Sequence, residues 1–378
     1  MDIRLFKPYL GQDELDNIKD AFQRAWIGLG PKVGEFEKEW SRYLGCRESV
    51  AVNSATAALH LALTAYQFKE GRKVLVPALT FASTATAILY NRLTPVFVDV
   101  DPETISLDQR DLEAKYDKEC VAVMPVHFAG HPVAMDELMD FATAKKLAVI
   151  EDCAHCAGGG YKGRKLGTWG NIGCFSFEEK KGMTVGDGGM VCSDDPALIN
   201  PLRAYRWVGI DKDTWKRAGG YTDKVNLDAR HWYYEISVLG YKYNMNDLSA
   251  AIGLAQLKKL DWMNSQRSHH IKRYLKGLEG CRKIKPLLPY DPDLYAYWIF
   301  GVRCEKRDAL ILHLKSKGVA TSVHYMPLTL HPLFRPFRSR CDVADRIWNT
   351  FLTLPLFVEL TDEQINYVID TLLEFDNM

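Results

Sequence analysis

The sequence predicts an α/β fold: a large, mostly parallel sheet domain flanked by helices, followed by a smaller α+β domain. Three observations carry that expectation. Short runs rich in Val, Ile and Phe alternate with longer stretches of helical period through the first two-thirds of the chain, as in a sheet buried on both faces. Several of those runs end in polar or glycine-containing turns, where ligand groups belong in such sheets. After about Gly253 the alternation gives way to one long helical stretch and a few separate elements. A chain of 378 residues with 47% apolar content also exceeds what one hydrophobic core usually organises. Residues 1–253 are therefore expected to form the large domain, with the N-terminal segment, and residues 254–378 the small one, with a ligand in the cleft between them.

The elements follow in order. Strands are expected at residues 49–52, 74–77, 95–98, 121–126, 147–151, 173–177 and 190–192, each a short apolar run. Helices are expected at 55–66, after Asn53-Ser54, at 84–90, after a Ser/Thr cluster, and at 135–146, where apolar residues recur at helical spacing. In the second part, a long helix at 254–277 precedes a strand at 297–303 and helices at 307–317 and 362–374.

Composition narrows the function. Lys+Arg and Asp+Glu both count 48, so no excess of positive charge draws the chain to nucleic acid or anionic lipid. No stretch of about 18 apolar residues occurs, and acidic residues interrupt the N-terminal region where a signal peptide needs an apolar run. A cytoplasmic protein acting on a small molecule is the expectation. Nine scattered cysteines, an odd number, read as reduced core residues. Cys153 and Cys156 form a CxxC around His155, yet no second Cys/His pair follows at zinc spacing, and no metal site is expected.

Four places can carry chemistry. Asp152 stands where the strand LAVIED runs out; it is either a turn cap or a carboxylate that keeps a pyridine nitrogen protonated. The stretch FSFEEKKGMTVGDGGMVCS brackets a lysine pair between two strands. A lysine desolvated there can attack a carbonyl, whereas most surface lysines are simply solvated; Gly186, Gly188 and Gly189 favour the first reading because they let backbone approach a ligand. In SVAVNSATAALHLAL a strand breaks into a helix whose first turn offers free N–H groups, a phosphate site if it is not merely a Ser or Thr cap, with the Ser176 hydroxyl as a further donor. Phe81, after a strand, can lie on an aromatic ring or fill core.

These elements, in this order, resemble the DegT/DnrJ/EryC1/StrS family of sugar aminotransferases, which have the type I fold of pyridoxal-phosphate (PLP) transferases. The resemblance spans nearly the whole chain, from GPKVGEFEKEW through SATAALHLAL, VPALTFASTATAI, IEDCAHCAGG, FSFEEKKGMTVGDGGMV and GYKYNMNDLSAAIGLAQLKKL to HYMPLTLHPLF. It implies pyridoxal 5'-phosphate as cofactor, borne by Lys181 rather than Lys180. It also implies that Asp152 faces the pyridine nitrogen, His155 the phenolic oxygen and Phe81 the ring, while Thr56, Ala57 and Ser176 hold the phosphate. GYKYNMND would reach the site of a neighbouring subunit in a homodimer. Here Lys242 stands where Asn is usual and Asn244 where Arg is usual, and either one could make that contact. The substrates implied are an amino donor, by family habit glutamate, and a nucleotide-linked keto-deoxysugar, met by residues 26–32 and 203–217. A dehydratase or deoxygenase of the same family, in which histidine replaces the lysine, and a non-catalytic ligand-binding relative rank lower because Lys181, Asp152 and the glycine loop are intact.

Overall fold

The computed structural model describes residues 1–210 and 234–378. Seven strands form the main sheet: β1 (Glu48–Val52), β2 (Lys73–Pro77), β3 (Thr94–Val98), β4 (Cys120–Val123), β5 (Ala148–Asp152), β6 (Ile172–Ser176) and β7 (Gly189–Ser193). Their order across the sheet is β1-β7-β6-β5-β4-β2-β3. β7 runs antiparallel to both neighbours, and the other pairings are parallel. Six strands therefore finish at one edge of the sheet, and β7 starts there. Every residue of β6 and β7 is buried, which is why these strands read as continuous apolar runs instead of alternating ones.

The longer helices are α1 (Gln12–Gln23), α2 (Pro31–Leu44), α3 (Ala55–Thr64), α4 (Ala82–Tyr90), α5 (Gln109–Lys115), α6 (Met135–Lys145), α7 (Asp247–Gly277), α8 (Arg307–Ser316), α9 (Asp342–Thr350) and α10 (Asp362–Asn377). A second, antiparallel sheet joins β8 (Lys285–Pro286), β9 (Phe300–Arg303) and β10 (Phe351–Leu354). The strand and helix positions agree with the sequence reading to within a residue or two at most ends. Two strands are shorter than expected. β4 stops at Val123 because Pro125 has no N–H to give the ladder. β9 begins only at Phe300, because residues 297–299 turn away to the Phe128–Gly130 turn, where the Trp298 N–H donates to the Ala129 carbonyl at 2.8 Å.

The change of pattern at Gly253 falls inside α7, which runs unbroken from Asp247. A Cβ at Gly253 would sit 2.8 Å from the Phe36 ring, so the glycine lets α7 lie close on α2. Asp247 fixes the same contact by accepting the backbone N–H groups of Lys32 (3.2 Å) and Val33 (3.0 Å). The N-terminal residues cross to the second part of the chain: Ile3 pairs with Val319, and the Leu356 N–H donates to the Leu5 carbonyl at 3.1 Å. No helix among the described residues is long and apolar enough to cross a membrane.

Candidate active site

A cavity of about 360 Å³ opens at the edge where the parallel strands finish. The α3 start, the α4 start, Asp152, His155, Ser176, Lys181 and the glycine loop line it from the main sheet, and Trp298, His324 and Tyr325 close it from the second part of the chain.

Asp152 is the last residue of β5 and is only 4% exposed. Its Oδ2 accepts the Thr84 hydroxyl at 2.8 Å and its Oδ1 the Ala154 N–H at 3.1 Å. Burial pushes its carboxyl above the ordinary aspartate range, while those two donors and the nearby Lys181 pull the other way. A buried carboxylate supported in this way suits a cationic N–H partner in the cavity.

Lys181 follows a turn closed by its own N–H on the Glu178 carbonyl (2.9 Å). Its Nζ lies over the indole of Trp298, 3.7 Å from the ring centroid. Burial lowers its pKa to about 8, opposed by the carboxylates of Glu178 and Asp152 and aided by Lys180. Lys180 also borders the cavity but is exposed, and its Nζ reaches Glu178 at only 4.0 Å. The two lysines that the sequence left adjacent thus have different surroundings.

At the β1–α3 junction, Ser54 caps the helix by accepting the Ala57 N–H at 3.1 Å. Ser54, Ala55 and Thr56 line the cavity, and the Thr56 hydroxyl meets that of Ser83 at 2.6 Å. Ala57 stands behind them, buried, with its N–H already taken by the cap. The glycines hold β7 against this junction: a Cβ on Gly189 would lie 2.5 Å from the Ser54 carbonyl, and Gly186 has a φ of +86°. Ser176, at the end of β6, is buried and also borders the cavity.

Aromatic rings form the walls. Phe81, immediately before α4, leaves 55% of its surface exposed, which makes it a wall of the cavity and not a core residue; its ring tilts against Tyr325 at 5.5 Å. His155 stacks on Trp298 at 4.2 Å and 19°, and its Nε2 is 3.1 Å from the Tyr325 hydroxyl. Burial holds the imidazole neutral. With the phenol as donor to Nε2, the proton of His155 resides on Nδ1, which is buried and has no hydrogen-bond partner. Nothing in the sequence singles out Thr84, Trp298, His324 or Tyr325 for the site; HYMPLTLHPLF carries part of the resemblance, but no spacing ties its His-Tyr pair to Asp152.

Lys242 and Asn244 do not border this cavity. Lys242 Nζ lies 3.1 Å from the Trp207 ring centroid, and Asn244 pairs with Val52 beside β1. The Asn53 N–H donates to the Tyr243 carbonyl at 2.7 Å, so the segment packs just outside the α3 start. Residues 26–32 are likewise absent from the lining; Lys32 pairs with Asp20 at 2.8 Å. In the segment 203–217, Arg203 and Arg206 bind the buried Glu37, and residues 211–217 lie outside the described residues. Cys153 and Cys156 come within 4.8 Å of His127, a grouping that spacing did not reveal. Both His127 nitrogens are taken, Nε2 by Glu151 (3.0 Å) and Nδ1 by the Val133 N–H (3.2 Å).

Comparison with known proteins gives this architecture its place. Residues 8–373 match the model of the DegT/DnrJ/EryC1/StrS aminotransferase family. The spore coat polysaccharide biosynthesis protein SpsC of Bacillus subtilis is 34% identical over 96% of this chain and 94% of its own. Among solved structures, the sugar aminotransferase CalS13 of Micromonospora echinospora superposes with a TM-score of 0.88 at 29% identity, over 98% of this chain and 99% of that one. Spr1654 of Streptococcus pneumoniae, in its PMP-form, gives 0.90 at 27% identity over 100% and 99%. The chain, with its mostly parallel sheet, lysine-bearing loop and buried strand-end aspartate, belongs to the DegT/DnrJ/EryC1/StrS aminotransferase family.

Proposed function

We propose that this protein uses pyridoxal phosphate to move an amino group from glutamate to a nucleotide-linked keto-deoxysugar, in the cytoplasm. The observation that carries the reading is the pairing, in one cavity, of the Lys181 amine, lowered toward neutrality, with the buried carboxylate of Asp152. The cavity residues fit the cofactor. Lys181 would attach it; Asp152 would hold the proton on its ring nitrogen; Phe81 would cover the ring; Thr56, Ser176 and the start of α3 would receive the phosphate; and the unpartnered Nδ1 of His155 offers a donor to the phenolic oxygen. Ala57 would contribute only if its N–H left the Ser54 cap.

When bound, pyridoxal phosphate supplies an electron sink for the carbon whose amino group is being moved. The chain does the rest. Lys181, once its amine is free, takes and returns the substrate proton at Nζ, a role for which a pKa of about 8 is suited. Asp152 keeps its charge through Thr84 and Ala154 and so keeps the ring nitrogen protonated. Phe81, Trp298 and Tyr325 limit water around the reacting atoms. The same reading keeps two lobes, residues 1–253 and 254–378, with the sugar entering between them. It also makes the working unit a homodimer in which Lys242 or Asn244 of one chain serves the phosphate of its partner, since neither side chain lines the cavity of its own chain.

The test is to incubate the cofactor-loaded protein with glutamate and a panel of nucleotide keto-sugars, identifying products by mass spectrometry and NMR. The reading expects an aminated sugar and 2-oxoglutarate in equal amounts. Donor turnover with no sugar product across the panel would overturn the proposed acceptor, and no donor turnover would overturn the reaction itself.

A further inference from the structure

Trp298 makes more contacts inside the cavity than a wall residue needs. Its indole N–H donates to the Lys180 carbonyl at 2.6 Å, which fixes the turn just before Lys181. Its ring carries the Lys181 Nζ at 3.7 Å from the centroid, the imidazole of His155 at 4.2 Å and 19°, and the ring of Phe6 at 5.5 Å and 3°. The backbone bond to Ala129 anchors the residue itself, and the indole is 4% exposed. Lysine has a flexible four-carbon stem, so an unattached amine would otherwise sample many positions. An ammonium over an indole face is held by the negative charge of the ring quadrupole, and more strongly where water is excluded.

We propose that Trp298 is a positioning residue that holds Lys181 over its indole face whenever its amine is protonated and not covalently attached. The inference rests on the reading that Lys181 is the amine that meets the cofactor. Two jobs meet in one ring: the N–H sets the Lys180–Lys181 backbone, and the π face sets the amine. Phe6 and His155 brace the ring and hold its face toward the lysine without competing for the charge, because Phe6 carries none and burial keeps His155 neutral. A cation held in this way stays charged more readily than burial alone would allow.

The test uses the full-length, cofactor-free protein, with tryptophan analogues carrying one, two and three ring fluorines placed at position 298 only. Fluorination drains the π face while keeping the shape and the N–H bond, so packing and fold are preserved. The readout is the pH dependence of covalent attachment of added pyridoxal phosphate, followed by absorbance, which reports the free-amine fraction of Lys181. Asp152, Glu178, Lys180, His155, His324 and Asp187 also border the cavity and stay constant across the series. The proton affinity of Lys181 is expected to fall stepwise, by about tenfold in total, with Trp298→Leu at the end of the series and Trp298→Phe between. A pH profile that does not move from tryptophan to the trifluorinated analogue would overturn the inference. Attachment that persists unchanged in Lys181→Ala would instead overturn the assignment of Lys181, so the two failures are distinct.

Discussion

Thr84→Val tests the support of the Asp152 carboxylate through the pH-dependent part of its effect, because the same hydroxyl also meets that of Thr80 at 3.0 Å. Valine keeps the shape of threonine but deletes the hydroxyl that donates to Oδ2 at 2.8 Å, at a position with no exposed surface. A hydrogen bond to a charged group contributes about 1.5–3 kcal/mol and one to a neutral group about 1 kcal/mol, so the variant should raise the pKa of Asp152 further. Burial already holds that pKa above its unfolded value. The folded chain therefore binds this proton more tightly than the unfolded chain, and stability falls as pH rises from the unfolded to the folded pKa. The variant moves the upper end of that window higher. Below the wild-type folded pKa the carboxyl is protonated in both proteins, and the cost should be that of the neutral hydrogen bonds lost to Asp152 and Thr80, about 1 kcal/mol each. Above it the difference should widen by about a further 0.5–2 kcal/mol, the excess of a charged over a neutral hydrogen bond, and then level off. Urea unfolding of the cofactor-free proteins across a series of pH values measures this directly. A stability difference that stays constant with pH, or stays under about 0.5 kcal/mol throughout, would show that Thr84 does not support the charge.

Three further outcomes are expected. Asp152→Asn should retain cofactor yet lower turnover by about 100-fold, because an amide accepts a hydrogen bond without favouring a protonated ring nitrogen; steady-state rates with saturating cofactor check this, and wild-type rates would remove Asp152 from the chemistry. Ser54→Ala should cost about 1 kcal/mol in thermal or urea unfolding by stripping the α3 cap from the Ala57 N–H; an unchanged midpoint would mean that the cap contributes nothing. Mixing inactive Lys181→Ala chains with inactive chains altered at both Lys242 and Asn244 should regenerate activity through hybrid dimers with one intact site, and verified hybrids without activity would rule out the shared site.

The fold was legible in the sequence because buried parallel strands leave continuous apolar runs: β1, β2 and β5 to β7 all stand where VAVN, VLVP, LAVIED, FSF and GGMVCS predicted. The sequence reading places no helix in residues 12–44, although α1 and α2 occupy them; the helical spacing of Val33, Phe36, Trp40 and Leu44, all buried, between Pro31 and Gly45 is a legible signal there. At the site, Asp152, Lys181, Ser176, Thr56, Phe81 and His155 follow strand ends and could be picked out locally. Thr84 looks like any helix threonine until β5 brings Asp152 to it across 68 positions of sequence. Trp298 and Tyr325 lie more than 100 residues from Lys181 and enter the cavity only through the docking of the second part of the chain, a contact that no local pattern encodes. Residues 26–32 do not line this cavity for the opposite reason: their aromatic and basic groups are engaged elsewhere, the Trp26 indole N–H donating to the Leu29 carbonyl at 3.1 Å and the Lys32 ammonium pairing with Asp20 of α1 at 2.8 Å.

The central claim, that Lys181 is the amine that bears the cofactor, is most directly tested by loading the protein with pyridoxal phosphate, reducing with borohydride and mapping the labelled peptide. The label should lie on Lys181 alone and be lost in Lys181→Ala while the variant keeps its circular-dichroism spectrum. Label on Lys180, or on no lysine of the 177–190 loop, would contradict the account.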